Sequence, residues 1–173
     1  IKKDPIFCKS VTAYIPDNPD LYEHLSGIEY LNFIADVFGV PAKEKESRIA
    51  KYADLFEITG SLGSLIGSYS HGMKQKVALI GALIHEPKLL VLDEPFVGLD
   101  PKAALDLKNI MRNLCEKGSA IFFSTHVLEV AEKLCNKVAI IKNGELVANG
   151  EIKEVLGNES LEDVFMEETE YGS

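Results

Sequence analysis

Two adjacent carboxylates, Asp93 and Glu94, follow a run of four apolar residues at 89–92. An apolar run of this length predicts a strand that is buried on both faces, as in a parallel sheet. Open parallel sheets bind ligands at the carboxyl ends of their strands, which is where this pair falls. One carboxylate there can hold a magnesium ion, and the next can act on a water molecule beside it. The alternative is a buried strand followed by a solvated acidic turn.

Three more segments carry polar groups next to predicted elements. Residues 70–73, Ser-His-Gly-Met, precede a helix with an apolar inner stripe, and a helix N-terminus attracts anions through its free N–H groups. Residues 98–100, Gly-Leu-Asp, follow the carboxylate pair and lead into another helix. A second apolar strand, at 120–124, ends just before His126.

The order and spacing of these four features resemble the nucleotide-binding domain of ABC ATPases over nearly the whole chain. Leu89–Glu94 is similar to the family's Walker B strand with its catalytic glutamate. Gly98-Leu99-Asp100 is similar to the D-loop, in which Asp100 would both cap its helix and touch a partner subunit. His126 is similar to the switch histidine. Each motif is short, but four in this order are specific.

The segment Ser70-His71-Gly72-Met73 resembles a variant of the family's signature loop. In the family this loop reaches across a dimer to the ATP that the partner domain holds. His71 stands where the family has a glycine, and Met73 stands where it has a glutamine. A serine and one glycine are kept, so we expect anion binding, and whether His71 adds charge to it is open. Gly72 would let the backbone approach the phosphate closely. The alternative is an ordinary serine N-cap.

The resemblance also implies roles for the carboxylates and the histidine. Asp93 would assist a magnesium ion, Glu94 would polarise the water that attacks the γ-phosphate, and His126 would hydrogen-bond that phosphate and orient Glu94. Asp17 falls where the family usually has the Q-loop glutamine, and a carboxylate can also ligate magnesium. The alternatives are a turn aspartate at 17 and a capping or packed histidine at 126.

A Gly-x-x-x-x-Gly-Lys-Ser/Thr phosphate loop does not occur in the sequence. In the family this loop lies upstream of the first motif seen here, and the chain starts at Ile1. We therefore expect a C-terminal fragment of a longer protein. The parent would bind ATP and Mg²⁺ and hydrolyse ATP, and the fragment alone would be inactive.

The predicted fold class is α/β, a partial P-loop NTPase core with a mostly parallel sheet flanked by helices and an inserted ABC-type α-helical subdomain. Residues 1–16 would end the first core strands, and residues 17–86 would form the helical subdomain with the Q-loop region and the signature helix. Residues 87–173 would complete the core. The predicted helices cover 26–39, 41–56, 101–117, 127–135 and 160–168, and the predicted strands cover 11–15, 89–93, 120–124, 137–142 and 145–149. Ser26 and Glu29 form a capping-box pattern at the start of the first helix. Its predicted apolar face consists of Tyr30, Leu31, Ile34, Val37 and Phe38. Asn143-Gly144 predicts a two-residue hairpin turn between the last two strands.

Composition limits the possible partners. The 173 residues carry a net charge of −9 without a basic cluster, which argues against nucleic acid as a partner. The three scattered cysteines, Cys8, Cys115 and Cys135, are typical of reduced thiols in a cytosolic protein. The apolar stretch at 77–84 is too short to span a bilayer.

Two functional hypotheses follow. In the first, the parent is the ATP-hydrolysing subunit of a transporter of the bacterial exporter type, and two copies close on ATP to drive a separate transmembrane permease. It would be cytoplasmic and peripheral on the inner face of the cell membrane. In the second, the chain belongs to a soluble non-transport ABC ATPase or to a binding or regulatory module that does not hydrolyse ATP.

Overall fold

The computed structural model of the chain describes residues 2–170, which separate into two compact units at the junction between Ser124 and Thr125. The first unit contains a three-stranded sheet and the second a two-stranded sheet. The predicted division at residues 16 and 86, into core strands, a helical subdomain and the rest of the core, stays a prediction.

The sheet of the first unit is parallel throughout, in the order β1-β2-β3. Its strands are β1 (Thr12–Ile15), β2 (Leu89–Asp93) and β3 (Ala120–Ser124). Ile15 pairs with Leu92, and Asp93 pairs with Ser124. The carboxyl ends of the three strands therefore share one edge of the sheet, and the predicted α/β class with a parallel sheet is confirmed.

Helices pack around this sheet in the first unit. They are α1 (Pro5–Ser10), α2 (Gly27–Val37), α3 (Ala42–Leu55), α4 (His71–Leu83) and α5 (Pro101–Glu116), with short 3-10 turns at Thr59–Ser61 and Ile66–Ser68. Helix α1 was not predicted from the sequence. It starts at Pro5, where proline suits a first helical position, and the Asp4 carboxylate accepts a hydrogen bond from the Phe7 N–H at 3.0 Å.

Helix α4 is the centre of the helical part of this unit. Its residues Val77, Leu79, Ile80 and Leu83 are at most 1% exposed. Helices α2 and α3 both pack against α4, and α4 also contacts β1. The signature segment therefore begins a helix that packs against two other helices and the sheet.

The capping box predicted at the start of α2 is confirmed. The Ser26 N–H donates to the Glu29 carboxylate at 2.8 Å, and the Glu29 N–H donates to Ser26 Oγ at 3.4 Å. Leu31 and Ala35 are fully buried on the inner face. The prediction that Val37 belongs to this face is wrong, because Val37 is 62% exposed at the last turn of the helix.

The prediction that β2 is buried on both faces is also wrong. Leu90 and Leu92 are at most 2% exposed, but Leu89, on the opposite face, is 37% exposed. The same face bears Tyr14 and Phe122, which are 63% and 64% exposed. Alternate side chains of a strand point to opposite faces, and within residues 2–170 this second face is open to solvent.

The second unit is built on a hairpin. Strands β4 (Lys137–Lys142) and β5 (Glu145–Glu151) pair antiparallel, and both residues of the predicted Asn143-Gly144 turn have positive φ, as a tight hairpin turn requires. Its helices are α6 (Leu128–Leu134), α7 (Ile152–Leu156) and α8 (Leu161–Glu170), of which α7 was not predicted. Its buried core consists of Ala131, Ile140, Leu161 and Val164.

None of the helices formed by residues 2–170 combines the length and the apolarity that crossing a membrane requires.

Candidate functional site

The carboxylate pair lies at the carboxyl end of β2, where Ser124 fastens it to β3. Asp93 is the last residue of β2, and Ser124 stands opposite it in the register. The Ser124 hydroxyl donates to Asp93 Oδ1 at 2.5 Å and accepts from the Glu94 N–H at 3.3 Å. One hydroxyl therefore holds the side chain of Asp93 and the backbone of Glu94.

Glu94 has an unusual backbone conformation, with φ +44°. For a residue with a side chain this left-handed region costs roughly 1–2 kcal/mol. The turn is closed by the Val97 N–H, which donates to the Glu94 carbonyl at 3.1 Å, and Pro95 is buried behind it. Strained residues of this kind concentrate at functional sites, which supports a functional role for this glutamate.

Asp17 lies at the same edge of the sheet. It follows the end of β1 by two residues, and Ile15, the last residue of β1, pairs with Leu92. The edge therefore gathers carboxylates from two segments and the hydroxyl of Ser124, and oxygen donors of this kind suit Mg²⁺. Within residues 2–170 no three acidic, histidine or cysteine side chains cluster as a metal-binding group. Magnesium binding by Asp93 and Asp17 stays a prediction.

Ser70 is the N-cap of α4, and its hydroxyl accepts from the Met73 N–H at 3.3 Å. Ser70 and His71 are exposed at this helix terminus. The serine thus has the capping geometry of the simpler interpretation. The exposed terminus is also suited to an anion, so the cap and the predicted anion site are compatible.

The signature segment lies directly against the D-loop segment of the same chain. A Cβ added to Gly72 would come within 2.4 Å of the Gly98 carbonyl oxygen. Gly98 has φ +77°, and a Cβ on it would come within 2.5 Å of His71 Cδ2. A side chain at position 72 would therefore push against backbone and separate the two segments, while the positive φ of residue 98 favours glycine there.

Asp100 makes two contacts with its carboxylate. Oδ1 accepts from the Ala103 N–H at 2.9 Å and caps α5, as predicted, and Oδ2 lies 2.6 Å from Lys76 Nζ. The hydrogen bond from Lys76, with the help of the cap, lowers the pKa of Asp100 to about 2. Asp100 therefore stays charged at neutral pH while it joins α5 to α4.

Sequence reasoning missed two residues of this region, Ser124 and Lys76. Ser124 could have been found, because it ends a strand predicted to run parallel to 89–93, where a hydroxyl falls beside the carboxylates. Lys76 gave no such signal, since nothing in the local pattern around it points to Asp100, 24 residues further along the chain.

His126 belongs to the second unit, just ahead of α6, and is exposed. The neighbouring Thr125 Oγ1 accepts from the Val127 N–H at 3.1 Å, which shapes the turn before the helix. The predicted action of His126 on the γ-phosphate and on Glu94 stays a prediction.

The chain is similar to a protein-family model and to several known proteins. Residues 10–132 match a protein-family model described as "AAA domain, putative AbiEii toxin, Type IV TA system". The chain is 38% identical over 154 residues to an uncharacterized ABC transporter ATP-binding protein of Nostoc sp., covering 88% of this chain and 46% of that protein. It is 36% identical over 172 residues to the ABC-type transporter ATP-binding protein EcsA of Bacillus subtilis, covering 96% of this chain and 70% of EcsA.

A solved structure of an ATP-binding subunit of an ABC transporter is also similar. It matches with a TM-score of 0.93 and 35% identity over 98% of this chain and 72% of that chain. This chain spans about half the length of several of the curated relatives that it matches.

Proposed function

Because this chain belongs to the ATP-binding proteins of ABC transporters, we propose that it supplies the Walker B, signature and D-loop part of an ATPase that drives a separate transmembrane permease. One observation carries the proposal. Asp93 and Glu94 stand at the carboxyl end of a parallel strand, and the Ser124 hydroxyl holds both residues. Phosphoryl transfer depends mainly on positioning and charge stabilisation, which such an edge can provide.

In this proposal Glu94 orients a water molecule for in-line attack on the γ-phosphate of ATP and accepts its proton as the bond to the β-phosphate breaks. Asp93, with Asp17, holds Mg²⁺, which when bound neutralises charge on the phosphates. His126 donates a hydrogen bond that steadies the γ-phosphate and Glu94. The Ser124 hydroxyl keeps the carboxylate pair in place.

The proposed working unit is a dimer. The N-terminus of α4, with Ser70, His71, Gly72 and Met73, binds the γ-phosphate of ATP held by a second copy, since its free N–H groups attract an anion. The D-loop residues Gly98, Leu99 and Asp100 contact that copy. Dimer closure then moves a permease, in a transporter of the exporter type, from the cytoplasmic side of the membrane.

A glutamine at position 94 tests the catalytic role. In the full-length protein, Glu94→Gln should lower ATP turnover by about 100-fold or more, because the amide cannot take the proton. ATP should still bind and should trap the dimer. Glu116→Gln, an exposed glutamate at the end of α5, is the matched control and should hydrolyse ATP normally. Turnover at the parent rate in Glu94→Gln would refute the assignment.

Two further measurements test the rest of the proposal. We propose that the 173-residue chain, which holds no phosphate-loop motif, does not hydrolyse ATP alone, and turnover that is lost in Glu94→Gln would contradict this. Affinity capture with the full-length protein should recover a polytopic membrane protein. Recovery of ribosomes or of a soluble complex instead would favour a non-transport ABC ATPase.

A further inference from the structure

Helix α4 is joined to the D-loop segment at two levels. At its first turn, His71 lies against Gly98, and a Cβ on Gly72 would come within 2.4 Å of the Gly98 carbonyl oxygen. Just over one turn further on, Lys76 Nζ lies 2.6 Å from Asp100 Oδ2. The contacts bracket the segment 98–100, so the beginning of α4 and this segment cannot move independently without breaking one of them.

The Lys76–Asp100 pair is well placed to transmit such movement. The Lys76 side chain is only 15% exposed, whereas that of Asp100 is 45% exposed. The other carboxylate oxygen of Asp100, Oδ1, accepts a hydrogen bond from the Ala103 N–H and caps α5. The carboxylate therefore cannot turn away from Lys76 without disturbing the start of α5. The pair therefore ties α4 and α5 together at the D-loop.

A second lysine on α4 offers an internal comparison. Lys74 lies two residues before Lys76, and residues two apart on a helix point in nearly opposite directions. Lys74 Nζ pairs with Glu23 Oε1 at 2.5 Å, in the segment ahead of α2. Both lysines are partly buried and paired, but only Lys76 reaches the D-loop.

From this arrangement we propose that Lys76 is a positioning residue that couples the signature loop to the D-loop of the same chain through Asp100. The inference rests on the proposed function. When a phosphate docks at the N-terminus of α4, the displacement of α4 pulls on Asp100 and sets the D-loop for contact with the second copy. Lys76 acts through Asp100.

The experiment uses the full-length protein in the Glu94→Gln background, in which the ATP-bound dimer accumulates. Lys76→Met removes the charge and keeps the apolar stem, and Asp100→Asn removes the charge and keeps a good helix cap. Each should weaken ATP-driven dimerisation about fivefold, the scale of a partly exposed ion pair. ATP binding to the monomer should be unchanged. The double variant should be no weaker than either single variant.

Controls separate positioning from general stability. Lys76→Arg keeps the charge and should dimerise as the parent does, while Lys74→Met removes an equivalent pair on the same helix and should have little effect. If Lys76→Met does not fold, as a thermal melt would reveal, Lys76→Gln takes its place in the same double-variant comparison, because it also removes the charge that pairs with Asp100.

Three outcomes would overturn the inference: additive losses in the double variant, parent-like dimerisation in Asp100→Asn, or an equal loss in Lys74→Met. In each of these cases the Glu94→Gln protein still forms an ATP-dependent dimer, and the proposed function stands. If the Glu94→Gln protein itself forms no such dimer, the proposed function fails, and the inference fails with it.

Discussion

Ser124→Ala should impair hydrolysis more than it impairs folding or ATP binding. The Ser124 hydroxyl donates to the Asp93 carboxylate at 2.5 Å and accepts from the Glu94 N–H at 3.3 Å, so the substitution removes both bonds. Hydrogen bonds to charged groups contribute about 1.5–3 kcal/mol and neutral ones about 0.5–1.5 kcal/mol. Both bonds lie at an exposed edge, where water replaces part of the loss, and the lower end of these ranges applies.

The expected result is a loss of about 2 kcal/mol in the free energy of unfolding and a fall of about tenfold in kcat. The kcat effect arises because Glu94 loses the hydroxyl that holds its strained backbone. The KM for ATP should change little, since Ser124 is not proposed to contact the nucleotide. Steady-state ATPase kinetics of the full-length protein and urea unfolding would measure these quantities. Ser124→Thr keeps the hydroxyl and should recover most of the activity.

Ser119 provides a matched control at the opposite end of the same pair of strands. Ser119 lies just ahead of β3, and Pro87 lies just ahead of β2. The Ser119 hydroxyl donates to the Pro87 carbonyl at 2.8 Å. Ser119→Ala removes one neutral hydrogen bond, so it should lower stability by about 1 kcal/mol while leaving kcat unchanged. Equal kcat values for Ser119→Ala and Ser124→Ala would refute the claim that Ser124 positions the carboxylate pair.

Three other predictions concern single residues. Glu94→Gly should abolish hydrolysis yet be about 1 kcal/mol more stable than Glu94→Ala in urea unfolding, because glycine adopts φ +44° without strain; equal stability would contradict the strain argument. Gly72→Ala should prevent ATP-driven dimerisation, since its Cβ would lie 2.4 Å from a backbone oxygen, whereas Gly60→Ala, with nothing within 4 Å, should behave as the parent in gel filtration with ATP. Burial lowers the pKa of His85 below its usual 6.5, so the unfolded chain binds this proton more readily and stability should fall as pH drops below 6.5; His85→Gln should flatten that slope in melts taken across the pH range, and an unchanged slope would exclude His85 as its source.

The sheet and its edge were predictable because their signals are local. The apolar run at 89–92 followed by Asp93 predicted β2 with its observed bounds, and the pairing of parallel strands then brought Asp17 and Ser124 to the same edge. The strand was nevertheless predicted to be buried on both faces. An apolar run indicates that a strand is suited to a buried position. Whether the strand is buried in the structure depends on which other elements cover its two faces.

The contact between the signature and D-loop segments was not predictable from one sequence. Gly72 was expected to let the backbone approach a phosphate, but in the structure the same lack of a Cβ also admits the Gly98 carbonyl. Lys76 and Asp100 are 24 residues apart, and only the packing of α4 beside the D-loop brings them together. Helix caps such as Ser70 and Asp100 were found because a cap depends on three or four consecutive residues.

The conformation of Glu94 shows why the site depends on its neighbours. Its φ of +44° is unfavourable for glutamate, so the residue's own preference cannot maintain it. Three restraints do so. The Glu94 N–H donates a hydrogen bond to Ser124 Oγ, and the Glu94 carbonyl accepts one from the Val97 N–H. Pro95, the next residue, is buried. These restraints fix the backbone of Glu94, and with it the direction of the Cα–Cβ bond, before any nucleotide binds, which favours electrostatic preorganisation. Substitutions among the restraints should therefore lower kcat even where they leave ATP affinity intact.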